Sequence, residues 1–576
     1  MLEDQLQSIL HQYWGFDHFR PMQREAVEAA LSGRDCFVLM PTGGGKSLCY
    51  QVPALAQEGC CLVVSPLVAL MRDQVAQLRR RRINAACLSS DMTYREQEVV
   101  LNGSTFGDTK LLYVSPERLR NEVFVAHLRQ MRLSLIAVDE AHCISQWGHD
   151  FRPSYLQIAT LRALFPDVPM MALTATATPA VADDIVRQLQ LRDGYARLQS
   201  SFARKNIQFL VFHPADKRKK LLAVVRGVRG SGLVYVASRR HAEQLASWLA
   251  EQGVGALAYH AGMPNAVRDK VQLLWMQGRT PLLVATSAFG MGIDKSDVRY
   301  VVHYDMPTDL ESYYQEAGRA GRDGKRAYAV LLCGEGDDEA LRRQVEQEFP
   351  EPDFVRNVYR GICNFVQVPV GSGQGTRHDF DLLQICHTYG FPVLPFAAAL
   401  RSLEHEGAIR VDMSGARTSR LHVEVDREEL YRFQVENSRY DSLLTALGRL
   451  YGGLFTQYVT IDERAIAQRL EGTERVVREQ LQTLHERRIL TYLPRTDKPQ
   501  LFFVQPRLDA ALIGMPTAEH NAVKQQAHER MEAMLRYAGE KQVCRVRQLL
   551  HYFGETADDC GQCDVCLRRA APSATP

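Results

Sequence analysis

Short unbroken apolar runs, each closed by a polar or Gly-containing turn, alternate with amphipathic stretches from the N-terminus to about residue 335. A first set occupies residues 36–40, 61–64, 111–114, 135–138 and 171–173; a second occupies 232–236, 257–259, 282–285, 301–303 and 329–332. A strand wet on one face alternates apolar and polar side chains. These runs do not alternate, so both faces are covered and the strands belong to parallel sheets flanked by helices. Two α/β domains in tandem are the simplest account, joined near residues 204–216.

Beyond about residue 345 the rhythm changes to helices and short hairpins. Two segments there match at an offset of 81 residues: LRSLEHEGAIRV at 400–411 and LQTLHERRILTY at 481–492. Leu400, Leu403, Ala408 and Ile409 correspond to Leu481, Leu484, Ile489 and Leu490. In both, helix, turn, helix and strand follow in order, with a further apolar strand after a polar tip, at 421–423 and 501–504. The order predicts two winged-helix-like units, each with its own hairpin; a generic helical accessory region is the alternative. The segment 370–377, punctuated by Gly371, Gly373 and Gly375, predicts a linker leading in.

Composition narrows the function classes only slightly. Of 576 residues 46% are hydrophobic and 24% charged, which is ordinary for globular domains. Lys plus Arg is 69 against 67 for Asp plus Glu, so any nucleic-acid site is a local patch rather than a polycationic surface. No apolar run reaches the roughly 18 residues of a membrane span. MLEDQLQSIL lacks a basic, then apolar, leader, so no membrane partner and a cytoplasmic location (nucleoid-associated in a bacterium) are expected. Nine of the 13 cysteines are scattered and read as small buried hydrophobes. Cys544, Cys560, Cys563 and Cys566 cluster.

Candidate chemistry begins with MPTGGGKS at 40–47, after an apolar strand and before a helical pattern. Consecutive glycines let backbone N–H groups wrap a phosphate at a helix N-terminus. Thr42, Gly43, Gly44 and Gly45 would form the cradle, Lys46 would reach the β/γ-phosphates and Ser47 would hold Mg²⁺. Met40 stands where the usual phosphate loop has its first Gly. Asp139 and Glu140 of DEAH at 139–142 follow the strand at 135–138, and the carboxyl end of such a strand faces the phosphate crevice. Asp139 would orient Mg²⁺ and Glu140 the attacking water. In QEAGRAGRDG at 315–324, Arg319 and Arg322 could cross a cleft to the γ-phosphate as arginine fingers. All five, Lys46, Asp139, Glu140, Arg319 and Arg322, are candidate catalytic residues.

This set is similar to that of the superfamily 2 helicases, and its wording resembles the RecQ DNA helicases over about residues 10–335. FDHFRPMQ at 16–23 resembles the family's adenine-reading motif, which implies base contacts from Arg20 and Gln23. SPLVALMRDQ at 65–74 and YVSPER at 113–118 resemble its strand-gripping motifs, and LTATA at 173–177 the segment coupling hydrolysis to domain movement. YVASR at 235–239, YHAG at 259–262 and ATSAFGMGID at 285–294 match in the second domain. The segment 143–153, CISQWGHDFRP, resembles the family's aromatic-rich loop. Trp147, His149, Phe151 and Arg152 would offer stacking and cation–π surfaces to unpaired bases, against the bland reading of Trp147 as a loop anchor.

Cys544, Cys560, Cys563 and Cys566, three of them at x2 spacing, suit a closed tetrahedral Zn²⁺ site, with disulfide pairing the alternative. The cluster resembles the RecQ zinc module, but displaced. In the family layout it follows the helicase lobes directly. Here some 180 residues of winged-helix-like sequence intervene, and a closing helical domain is not expected after it. The fold implied is α/β: RecA-like lobes at 1–205 and 206–345, a winged-helix-like region at 346–520 and a zinc-binding module at 521–570.

The resemblance implies ATP-driven DNA unwinding with 3′→5′ polarity in repair, recombination or replication. ATP, Mg²⁺ and Zn²⁺ are the implied cofactors, and single-stranded, duplex and forked DNA the partners, with a monomer expected. An ATP-dependent RNA helicase or remodeler, and a nucleotide-switched DNA-binding scaffold, stay open as alternatives. A wing hairpin, at 417–425 or 492–504, is expected where strands part.

Overall fold

The computed structural model describes residues 2–570 except 90, 91, 93, 291–294, 413–417, 456, 457, 497 and 514–516. The chain forms two compact units, Met1–Val345 with Asn521–Pro576, and Glu346–His520.

The first unit holds two parallel sheets. Lobe one contains β1 (Cys36–Leu39), β2 (Cys60–Val64), β3 (Ala85–Leu88), β4 (Leu111–Val114), β5 (Leu133–Val138), β6 (Met170–Thr174) and β7 (Ala196–Gln199), ordered β3-β4-β2-β5-β6-β1-β7. Lobe two contains β8 (Ile207–Phe212), β9 (Ser231–Tyr235), β10 (Ala256–Tyr259), β11 (Leu282–Ala285), β12 (Val298–His303) and β13 (Ala327–Leu332), ordered β10-β11-β9-β12-β13-β8. Every pairing in both is parallel. The continuous apolar runs are central strands: β1, β2, β4 and β11 are buried at every position. Three strands lacked that signal. β3 is built from Ala-Ala-Cys-Leu, which carries little β preference. β7 is an edge strand, half-exposed in alternation, and β8 falls on the expected interdomain join.

The second unit contains two three-stranded antiparallel sheets. β14 (Arg377–Asp379), β15 (Ile409–Asp412) and β19 (Gln500–Phe503) form one, ordered β14-β19-β15. β16 (Ser419–Val423), β17 (Val459–Ile461) and β18 (Leu490–Leu493) form the other, ordered β17-β16-β18. Both helix-to-strand repeats are present, Val393–His405 leading to β15 and Glu474–Glu486 to β18. The strand after each repeat, however, does not pair with it. β16 pairs with β18, and β19 pairs with β15. The two terminal strands are exchanged, so the segment from β16 to β18 is inserted whole between β15 and β19.

The two hairpins expected from the sequence are therefore not formed as drawn. Residue 417, the start of the first, lies outside the described residues, and residue 497 of the second does also. β18 and β19, at the two ends of the second, belong to different sheets. The physical reason is side-chain fit, since a backbone ladder is indifferent to which strand joins it. Leu501 and Phe503 enter a core with Phe380, Phe396 and Val358, whereas Leu421 and Val423 enter another with Leu444, Leu481 and Tyr492.

Asp412 and Gln500 already face each other across β15 and β19. Replacing residues 413–499 with a two-residue Asn-Gly turn should close the outer sheet as an ordinary hairpin. Loop-closure entropy favours the short turn by up to about 3 kcal/mol over a long flexible connection, and by less over a folded insert. Circular dichroism and thermal melting of the shortened chain check this. Loss of its cooperative melt would refute the nested arrangement.

Candidate functional site

β1 delivers the glycine-rich loop at its carboxyl end, and Lys46 opens the helix Lys46–Ala56. Gly43 and Gly45 both have φ of 84°, a backbone region that favours glycine. At Gly45 a Cβ would lie 2.3 Å from Gln23 Nε2, so a larger residue would have to displace that amide as well as adopt the strained φ. Met40 is compatible with this loop because its side chain is in the core at 2% exposure, while its carbonyl accepts from Lys46 Nζ at 3.1 Å. Arg20 Nη1 donates to Gly43 O at 2.6 Å, and Gln23 Nε2 donates to Gly44 O and Gly45 O at 3.2 and 3.1 Å. Both expected adenine contacts thus rest against the phosphate loop. Ser47 lies beside Tyr50, and Thr42 lines the same turn.

β5 brings Asp139 and Glu140 to the same crevice. Desolvation, reinforced by the charge of Glu140 and opposed by Lys46, pushes the Asp139 carboxyl up to about 7. Desolvation likewise lowers Lys46, while Glu140 and Asp139 hold it up and Arg322 pushes it down. These mutual effects place the lysine, both carboxylates and Arg322 in one electrostatic site. Glu140 has left-handed φ and ψ of 48° each, and its buried Oε2 has no hydrogen-bond partner among the described residues, with His142 Nδ1 at 3.5 Å. An orphan carboxylate oxygen of this kind is a free acceptor for water. The Asp139 carbonyl accepts from Tyr155 OH at 3.0 Å.

The second lobe reaches this crevice. A Cβ on Gly43 would lie 3.2 Å from Arg322 Cγ, so that side chain lies over the glycine-rich loop. Arg319 is 4% exposed and lies near Tyr235, whose OH donates to Phe289 O at 2.8 Å. Tyr235 opens YVASR at 235–239, and nothing in that spacing marks it as a partner of the arginines. Residues 291–294 of the matching segment lie outside the described residues.

His142, fully buried, joins the carboxylates to the aromatic loop. Its Nδ1 contacts Thr174 Oγ1 at 2.8 Å, and its ring stacks on His149 at 4.6 Å with planes 15° apart. Burial holds this imidazole well below its usual pKa, and His149 adds to the effect, so His142 is neutral. Trp147 is 37% exposed, enough to present a ring face to solvent. Its carbonyl accepts from Gln526 Nε2 and Arg530 Nη1, both at 3.1 Å, and Arg530 Nη1 also donates to Gly148 O at 2.6 Å. This clamp comes from the helix Thr517–Gly539, and nothing in the spacing of that helix signalled it. Arg152 is less available than its sequence position suggested: its fork is bonded to Asp150 at 3.0 and 3.3 Å and to Pro66 O at 3.1 Å. Phe151 is half-buried beside it.

The four terminal cysteines converge, with ligand atoms all within 4.8 Å of one another. Backbone N–H groups of Cys560 and Cys566 donate to the sulfurs of Cys544 and Cys563 at 3.2 and 3.4 Å. No cysteine among the described residues is in a disulfide. This donor set fits a closed Zn²⁺ site. Buried Arg545 braces it, donating to Asp564 at 2.9 and 3.1 Å and to Tyr537 O. No helix among the described residues is long and apolar enough to cross a membrane.

Comparison with known families follows the same division of the chain. Residues 20–185 match the DEAD/DEAH box helicase family and 216–324 the helicase conserved C-terminal domain. Residues 421–494, the inserted segment, match a RecQ helicase winged-helix domain described for Bacteroidota, and 505–567 match the RecQ zinc-binding family. The ATP-dependent DNA helicase RecQ of Pasteurella multocida is 47% identical over 344 residues, covering 60% of this chain and 54% of that protein. The protein described as "Probable ATP-dependent DNA helicase RecS" of Bacillus subtilis is 39% identical over 360 residues, 62% of this chain and 72% of that one. The chain thus spans little more than half of the first of these relatives. Among solved structures, the DUF1998 helicase MrfA bound to DNA shares the fold at a TM-score of 0.50 and 19% identity, covering 59% of this chain and 52% of that one. With both helicase lobes, a RecQ winged helix and a four-cysteine RecQ zinc module on one chain, the protein belongs to the RecQ family of DNA helicases.

Proposed function

We propose that this chain hydrolyses ATP to separate DNA strands, moving 3′→5′, and serves DNA repair, recombination or replication in the cytoplasm. The observation that carries the reading is the placement of His142. One ring touches Thr174 at 2.8 Å and stacks on His149 at 4.6 Å, beside the carboxylates Asp139 and Glu140. A base arriving on the aromatic loop therefore has a short packed route to the hydrolytic site.

In this reading Lys46 and the loop amides bind the β- and γ-phosphates, and Arg20 and Gln23 turn from the loop to the adenine. Mg²⁺, when bound with ATP, neutralises phosphate charge, and Ser47 and Asp139 are the residues that would hold it. Glu140 Oε2 orients water for in-line attack, and Arg319 and Arg322 stabilise the charge spread over the transferred phosphoryl group. Closing the two lobes brings the fingers in and opening withdraws them, so hydrolysis becomes relative movement of the lobes.

The test is unwinding of 3′-tailed, 5′-tailed, forked and four-way DNA beside a matched RNA duplex. Separation of 3′-tailed and forked DNA with ATP is expected. Stronger stimulation of ATPase activity by RNA than by DNA would favour the RNA-helicase alternative and overturn this reading. A chain that binds DNA and never turns over ATP would instead be the scaffold.

Trp147→Ala, alone or with Phe151→Ala, should keep DNA-independent hydrolysis and lose DNA stimulation. Single-base stacking of about 1–3 kcal/mol shifts a two-state loop roughly five- to 150-fold, which sets the size of the expected loss. Basal and stimulated ATPase measured beside the melting temperature check it. A stable variant stimulated normally would mean the loop does not sense DNA.

A further inference from the structure

The linker between the lobes carries a residue that no motif marked. Arg204 lies between β7 and β8, and its guanidinium enters the crevice between the glycine-rich loop and the finger loop. Nη1 donates to Thr42 O and to Gly318 O, each at 3.1 Å. Nη2 donates to Ala320 O at 3.1 Å and Gly321 O at 3.4 Å. One planar group thus ties lobe one to three carbonyls of the loop that bears Arg319 and Arg322. Asn206 adds a second tie, donating from Nδ2 to Gly321 O at 2.6 Å and Lys325 O at 2.9 Å. Gly321 has φ of +60°, and a Cβ there would lie 2.5 Å from that nitrogen, so the finger loop is shaped to receive the linker.

The zinc module holds the linker on both sides of Arg204. Glu555 accepts from Ser201 Oγ at 2.7 Å and from Phe202 N at 2.9 Å. Phe553 stacks on Phe202 at 4.4 Å with planes 17° apart. On the far side, Gln562 Nε2 donates to Lys205 O at 2.9 Å and Ile207 O at 3.3 Å. Asp564, which is next in sequence to Cys563, accepts from Val211 N at 3.3 Å. The chain is therefore pinned at 201–202 and at 205–211, and the intervening arginine has little freedom to slide.

We propose that Arg204 is a positioning residue for ATP hydrolysis, a strut that sets the arginine-finger loop against the phosphate loop at a place fixed by the zinc module's grip on the linker. The proposal rests on the ATPase reading above and goes beyond it by assigning the module a mechanical part in turnover. A lysine keeps the charge but has one nitrogen on a flexible stem, and so cannot span the two pairs of carbonyls. The strut and a simple charge effect are thereby separable.

Steady-state ATPase of the full chain with saturating single-stranded DNA tests it, comparing Arg204→Gln, Arg204→Lys, Glu555→Ala and the Arg204→Gln/Glu555→Ala pair. Misplacing a catalytic group by about 1 Å costs about 100-fold in rate, so kcat should fall by that order in both Arg204 variants while KM for ATP stays nearly unchanged. Glu555→Ala should lower kcat in the same direction, and the pair should be no slower than Arg204→Gln alone, the non-additivity expected of residues acting through one element. Wild-type kcat in Arg204→Lys, a change in KM alone, or independent losses in the pair would each overturn the proposal. Hydrogen exchange of the nucleotide-free proteins needs no turnover and keeps the two readings apart. Faster exchange at amides 318–322 in Arg204→Gln supports the strut even if wild type proves inactive, and unchanged exchange there overturns it.

Discussion

Glu140→Gln should lower ATP turnover by about 10³-fold, in the middle of the range for loss of a positioned acid–base group, while ATP still binds. The substitution preserves shape, removes the charge and turns one acceptor oxygen into an NH₂ donor. Among the described residues the buried Glu140 Oε2 atom accepts no hydrogen bond, with His142 Nδ1 at 3.5 Å, so it is open to a ligand. The groups expected to bind phosphate, Lys46 and the loop amides, are untouched, and strand separation should stop with hydrolysis. Lys46→Ala should fail one step earlier, weakening nucleotide binding, because it deletes the cation held beside the loop through Met40 O. Fluorescent-nucleotide binding and phosphate release, measured on both variants, separate the two failures. Wild-type turnover in either would remove the crevice from the reaction.

The second large effect is expected from Cys563→Ser. Structural zinc in small modules is worth about 10–16 kcal/mol of apparent binding free energy, more than a segment of this size recovers by packing. Wild-type protein should carry one zinc per chain, and the variant should lose it and unfold residues after about 525. DNA affinity should drop. Nucleotide binding should persist, because no contact of Lys46, Arg20 or Gln23 described above involves the module. Turnover should fall as well, since Glu555, Gln562 and Asp564 would release Phe202, Lys205 and Val211. Metal analysis of freshly purified protein, with protease mapping of the variant, decides it. Zinc-free wild-type protein with a folded C-terminus would sink the assignment.

The two parallel sheets were legible because burial on both faces leaves an unbroken apolar run, as in β1, β2 and β11. The strands that escaped notice are the ones where that cause is weak: alanine-rich β3, edge strand β7, and β8 at the join. The phosphate loop, the DEAH carboxylates and the four cysteines were legible for a different reason. Each is a local cluster whose chemistry depends on spacing along the chain, and the structure places each cluster at one point. Arg152 was legible as a cation but not as a committed one, because its bonds to Asp150 and Pro66 O depend on how the loop folds back.

By itself, then, the sequence determined what depends on local order: alternating strand and helix, the glycine-rich loop, the four-cysteine cluster and the helix-to-strand repeat of the second unit. Tertiary structure decided what depends on residues far apart in the chain. It chose which strand completes each winged sheet, pairing β15 with β19 and β16 with β18, because two antiparallel ladders accept either strand and only Phe503 against Phe380 and Phe396, or Leu421 against Leu481, tells them apart. It also seated Arg530 on the aromatic loop and Arg204 between the lobes. Both arginines bond main-chain carbonyls, which are identical at every residue, so no side-chain pattern could have announced where those donors would land.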